Sequence, residues 1–136
     1  MDCPFPAELL IRSDADLTAT WRTLLGDLVF AERLLWLMLL AEDGRATGPL
    51  LQLTDLPDGP YGVPLDDLVS FIAELIDGPG SGRSVAFLLT RPGRGAWHIG
   101  DRAWTRSLQT VAGALGGRTW PVHRARDGLL EACPMP

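Results

Sequence analysis

Residues 34–41 read Leu-Leu-Trp-Leu-Met-Leu-Leu-Ala, with no polar side chain. This run constrains the fold more than any other feature of the chain. A strand with one wet face alternates apolar and polar residues, whereas an unbroken apolar strand is covered on both faces. The run is far shorter than the ~20 residues that a membrane-spanning helix needs. Glu32-Arg33 and Glu42-Asp43 bracket it with charge. Asp43-Gly44 is a turn signal between apolar runs. The chain becomes apolar again over residues 49–53, with Pro49 at the start, where a missing N–H is tolerated. The pattern predicts a β-hairpin over residues 34–53 whose first arm is buried on both faces.

The other elements follow from periodicity. Asp14 or Asp16 can cap a helix reaching about residue 30, with Leu17, Trp21, Leu24, Leu25 and Leu28 on one face. Gly26 weakens it. Residues 55–64 form a loop rich in Pro, Gly and Asp. Pro64-Leu-Asp-Asp opens a second helix whose early acids complement its dipole. Leu65, Leu68, Val69, Ile72, Leu75 and Ile76 form its stripe. Residues 84–90 read as a short buried strand and residues 91–100 as a glycine-punctuated loop. A third helix over residues 101–115 ends at Gly116-Gly117. Residues 118–125 form the last strand, and Arg126-Asp127-Gly128 turns into a tail. The order predicts an α/β (α+β) fold: one domain with a central mixed sheet, an antiparallel hairpin and about three flanking helices. Residues 1–13 read as an arm and residues 14–136 as the globular domain.

A chain of 136 residues buries roughly two-thirds of its unfolded surface, so neither disulfides nor metals are needed to hold it. The net charge of −5 disfavours a phosphate backbone as partner. All 12 basic residues are Arg, and Lys and Asn are absent. This excludes Schiff-base lysine chemistry, the P-loop lysine and N-glycosylation. Both missing residues have A-rich codons, so a GC-rich genome accounts for the absence. Residues 1–11 lack the basic n-region and apolar core of a signal peptide. Cys3 and Cys133 are therefore expected as free thiols in a reducing cytoplasm. Cys133-Pro-Met-Pro is not a prenylation box.

Five segments carry a family resemblance. They are Glu32-Arg33-Leu-Leu-Trp-Leu-Met-Leu-Leu, Pro64-Leu-Asp-Asp-Leu-Val, Val85-Ala-Phe-Leu-Leu-Thr-Arg-Pro-Gly, Gly100-Asp-Arg-Ala-Trp-Thr-Arg-Ser-Leu and Trp120-Pro-Val-His-Arg-Ala. In this order they resemble the RadC-like branch of the JAB/MPN fold, over about residues 29–126. That resemblance implies an apolar hairpin after a Glu, a strand running into an HxHP loop, and a helix beginning with Ser and Asp. In catalytic members the two His and the Asp hold zinc, and the Glu acts on the metal-bound water. Here Leu89 and Arg91 stand at the two His positions, His98 at the Ser, and Asp101 at the Asp. Glu32 lies close to the family's Glu, and His123 near its last-strand His.

These departures imply that metal hydrolysis is lost. Leu89 cannot ligate, and Arg91 is a permanent cation that repels a dication. A catalytic zinc takes three protein ligands, and Asp101 alone does not suffice. Arg91 can instead serve Asp101 as an ion partner, or Asp101 can act as a helix cap. No metal or cofactor is expected. The leading expectation is a non-catalytic domain acting on a protein partner or a second copy, with no membrane contact. Arg94, Trp97, Arg102 and Arg106 are its candidate surface, because Arg and Trp are favoured at interaction hot spots. One alternative is a hydrolase built on His98, Asp101 and His123. Another is a nucleic-acid binder using the Arg/Trp face, with Trp rings on which bases could stack.

Overall fold

The computed structural model describes residues 10–135. The N-terminal part of the expected arm and the state of Cys3 lie outside these residues. The elements are α1 (Asp14–Leu25), β1 (Leu34–Leu40), β2 (Ala46–Leu53), α2 (Leu65–Leu75), β3 (Ser84–Thr90), α3 (Ile99–Ala114), β4 (Val122–Arg126) and β5 (Leu129–Cys133), with a single 3₁₀ turn at Pro79–Ser81. The class is mixed α/β, as expected, with helices on both faces of a five-stranded sheet ordered β2-β1-β3-β4-β5.

β1 lies inside the sheet. It pairs antiparallel with β2 on one side and with β3 on the other, in register from Leu34↔Thr90 to Leu40↔Ser84. Its residues divide between two cores. Leu35 and Leu37 join Ile72, Val85, Phe87, Leu89, Trp104 and Leu108 under α2 and α3. Met38 and Leu40 join Leu17, Trp21, Ala86, Leu88 and Trp120 under α1. The absence of alternation in the sequence is thus the signature of a strand between two helical layers. β3 is buried at every position and continues through α3 into β4, which lies parallel to it.

Three sequence expectations change. First, α1 stops at Leu25 rather than near residue 30, because Gly26 takes φ +60, a conformation that favours glycine. Its cap is Ser13, whose Oγ accepts the Asp16 N–H at 3.1 Å while the Asp16 carboxylate accepts the Arg12 N–H at 3.0 Å. The segment after Gly26 is pinned to the far hairpin: Phe30 N–H donates to Asp127 Oδ1 at 2.8 Å, and Gly128 N–H to the Leu28 carbonyl at 2.8 Å. Second, β2 begins at Ala46, ahead of Pro49. The turn carries Gly44 at φ +92, and a Cβ there would collide with the Ile11 carbonyl. Ile11 donates its N–H to the Gly44 carbonyl at 2.8 Å, so the end of the arm packs against the hairpin tip.

Third, the last strand starts at Val122, and the expected tail is itself a strand, β5, antiparallel to β4. Trp120 belongs to the α1-side core instead of continuing β4, and its Nε1 donates to Ser84 Oγ at 2.9 Å. Arg124 Nε and Glu131 Oε1 join the two strands at 2.6 Å.

Leu88 is fully buried on a strand with neighbours on both sides. Leu88→Ala should therefore cost about 2–5 kcal/mol, read as a fall in the urea midpoint with an unchanged slope.

Candidate functional site

The site lies where β3 gives way to the loop before α3. Thr90 ends β3, and the next residue, Arg91, still donates its N–H to the Ala125 carbonyl at 3.1 Å. That bond carries the strand direction one residue further. Arg91 therefore falls on the side of Leu89, toward α3. Its side chain is only 5% exposed. Nε donates to Asp101 Oδ2 at 2.9 Å, Nη1 to the Pro92 carbonyl at 3.0 Å, and Nη2 to the carbonyls of Gly95 and Ala96 at 2.9 Å each. The glycine-punctuated loop is thus wrapped around one guanidinium.

Asp101 sits in the first turn of α3 and has no exposed side-chain surface. It is not the cap residue; His98 is. Oδ2 accepts the His98 N–H at 2.9 Å as well as Arg91, and Oδ1 accepts Arg33 Nη1 at 2.8 Å. Burial pushes this carboxyl up, but the His98 N–H and the two guanidinium groups outweigh it, and its pKa lies below the ordinary 3.8. The charged form is the one the fold holds.

This arrangement does not suit a zinc ion. Leu89 packs in the α2/α3-side core. Arg91 brings a fixed positive charge to the second position of the resembled motif. Both oxygens of Asp101 already accept from cations or backbone. Among the described residues no group of three or more His, Cys, Asp and Glu side chains is placed to hold a metal.

The remaining sequence candidates separate. Glu32 is exposed in the segment before β1, and it is its neighbour Arg33 that reaches Asp101. His98 is exposed on the rim of a cleft. His123 lies on the opposite face of the sheet, alongside Ala125 and against α1. It is fully buried, with Nε2 at 2.7 Å from Thr18 Oγ1 and Nδ1 at 3.3 Å from the Pro121 carbonyl. A neutral ring with its proton on Nδ1 satisfies both contacts. The sheet thus separates His123 from Asp101, and the three residues of the hydrolase alternative share no cleft.

The Arg/Trp candidates also divide. Trp97 is half-buried under guanidinium groups: those of Arg124, Arg91 and Arg126 lie 4.6, 5.0 and 5.9 Å from its ring centroid. Trp104 and Trp120 are core residues. Trp104 and Trp120 are therefore closed to base stacking, whereas Trp97 is only partly covered. Arg94 lies over Gly128 at the β4–β5 turn. Arg102 and Arg106 stand one turn apart on the exposed side of α3, beside a shallow groove shared with Tyr61, Ile99 and Ser107. Neither makes an ion pair among the described residues.

The cleft that His98 borders, of about 510 Å³, opens directly above the ion cluster and is lined by Arg33, Asp58, Tyr61, Pro92, His98 and Ile99 among others. The loop 55–64 forms its far wall. Trp104 Nε1 holds that loop by donating to the Pro57 carbonyl at 3.0 Å. Gly100 lets it approach, because a Cβ there would meet the Asp58 carbonyl. Arg33, Tyr61 and Gly100 are absent from the sequence-based candidates. Arg33 leaves one trace: it is the charge immediately before an otherwise apolar strand.

Removing one partner from a buried ion pair costs about 3 kcal/mol or more. Asp101→Asn should lower unfolding stability by about that amount, with exposed Glu32→Gln near neutral as the control in the same denaturation series. His123 supplies a pH test. Burial lowers its pKa from the ordinary 6.5, against smaller opposing effects of the Pro121 carbonyl and Asp14. Below about pH 6.5 the unfolded chain takes up a proton that the folded ring refuses, so stability falls as pH drops. Thermal melts between pH 7.5 and 5 should show this slope, and His123→Gln should flatten it. Comparison of the chain with protein-family models, with curated proteins and with solved structures returns no match.

Proposed function

We propose that the chain is a non-catalytic, degenerate RadC-like member of the JAB/MPN fold, a pseudoenzyme that works through contact with a protein partner or a second copy of itself. One observation carries this reading. Arg91, at the position of a metal-binding His in the resembled family, is locked by a buried ion pair onto Asp101, the counterpart of the metal-binding Asp. A fixed guanidinium puts one positive charge where the resembled family holds its dication. It holds the loop in shape but activates no water.

The contact surface we assign is the exposed side of α3. Arg102 and Arg106 flank Tyr61 and Ile99, which are 68% and 79% exposed. Arg and Tyr are enriched among residues that dominate binding energy. Two arginines without an ion-pair partner among the described residues favour an acidic counterpart. The chain itself carries a net charge of −5, so a second copy qualifies electrostatically.

Two measurements test this proposal. Equilibrium dialysis against zinc should leave no stoichiometric metal on the chain and no rise in melting temperature. One tightly held zinc per chain would overturn the non-catalytic reading. Sedimentation velocity, with pull-down of an acidic partner, should show association that Arg102→Glu with Arg106→Glu abolishes at unchanged melting temperature. Association indifferent to that pair would remove α3 as the surface.

A further inference from the structure

α2 and α3 lie side by side over one face of the sheet, and their outward sides carry opposite charge. On α2, exposed Asp67, Ser70, Phe71 and Glu74 recur at three- and four-residue steps and so form one stripe. On α3, exposed Ile99, Arg102 and Arg106 form another. None of the four charged side chains has an ion-pair partner among the described residues. No acid lines the groove beside Arg102 and Arg106. Each stripe also exposes one large apolar side chain: Phe71 is 44% exposed and Ile99 79%.

The stripes match in position as well as in sign. Asp67 and Arg102 both stand near the start of their helices, and Glu74 and Arg106 follow one to two turns further along. A second copy neutralises both stripes at once. A two-fold axis that lies in the interface and runs between the helices stacks α3 of each copy on α2 of the other. Arginines then face acids at two equivalent contacts, and Phe71 of one copy covers Ile99 of the other. A two-fold axis running across the helices would instead set acid on acid and arginine on arginine, which like-charge repulsion disfavours. A closed two-fold dimer requires a self-complementary patch, and a basic helix beside an acidic one is such a patch.

We propose that the chain forms a two-fold dimer through this helical layer, with Arg102 and Arg106 of each copy against Asp67 and Glu74 of the other. This assignment rests on α3 being the contact surface, and it specifies the occupant.

Sedimentation velocity of the full chain over a concentration series is the test. The wild-type chain should reach a dimer and nothing larger. Arg102→Glu with Arg106→Glu should weaken the dimer about tenfold or more, and so should Asp67→Arg with Glu74→Arg, each variant remaining folded by circular dichroism. An equimolar mixture of the two variants should restore a 1:1 dimer, because acid then meets base at both contacts. Glu74→Arg alone, clear of the helix N-terminus, should also weaken the dimer and keeps the test decisive where Asp67→Arg unfolds the chain. A wild-type chain that stays monomeric, species larger than a dimer, or no rescue in the mixture would each overturn the dimer. Association lost on reversing Arg102 and Arg106 but kept on reversing Asp67 and Glu74 would also overturn it, and would leave α3 as the contact surface for a different occupant.

Discussion

The buried contact between Arg91 and Asp101 determines how the end of the sheet meets α3. It joins residues ten apart in sequence, on either side of a loop with little apolar content of its own. A loop of that composition has no hydrophobic reason to hold one shape. It is ordered by the guanidinium at its base, which takes up three loop carbonyls while the carboxylate ties down the His98 N–H. Desolvating the two charges is costly, and a single hydrogen bond between them would not offset that cost. Arg33 and the backbone groups complete the network, so each member depends on the others. The direction of the Asp101 shift agrees with this: the bonds outweigh the burial.

From this cluster the rest of the α3 side follows. Arg33 reaches Asp101 from the start of β1, so the strand next to β3 is anchored to the same carboxylate. Trp104, one turn further along α3, holds the loop 55–64 through Pro57. Gly100 admits that loop against the helix. The cleft is therefore a by-product of three elements converging on one acid. The other face of the sheet is organised differently. There Trp21 of α1 packs with Trp120 and Leu88, and the polar links include His123–Thr18 and Trp120–Ser84. One face holds charge and the other excludes it, which is why residues from the two faces do not combine into a site.

Much of this was legible from the sequence where burial is two-sided. The run 34–41 and the strand 84–90 have no alternation because helices cover both faces, and both appear as strands where that rule puts them. Turn chemistry at Asp43-Gly44 and at Asp127-Gly128 was equally plain. β5 was not, because its five residues include Glu131 and two partly buried positions. Its register comes from the bond to Arg124 across the hairpin, not from a hydrophobic pattern. The end of α1 was hidden for a similar reason. Leu28 and Phe30 are apolar and fit a helical stripe, but they pack on the core from an irregular segment held by Asp127. At the site, the pairing of Arg91 with Asp101 is among the sequence expectations. Arg33 is not, because its role depends on β1 and β3 lying side by side, a long-range pairing that local pattern does not encode.

The composition of the chain takes on a different meaning at Arg91. Lysine is absent throughout the chain, and the two cations are not equivalent here. Arg91 makes four hydrogen bonds in one plane from three separate nitrogens, to a carboxylate on one side and three carbonyls on the other. Lysine carries three donors on one compact nitrogen and is more strongly hydrated. It could meet Asp101 or the loop carbonyls, but it could not span both from a single buried position. The guanidinium carbon also lies 5.0 Å from the Trp97 ring centroid, a cation–π contact suited to a delocalised cation. The order of this loop thus depends on the geometry of arginine as well as on its charge.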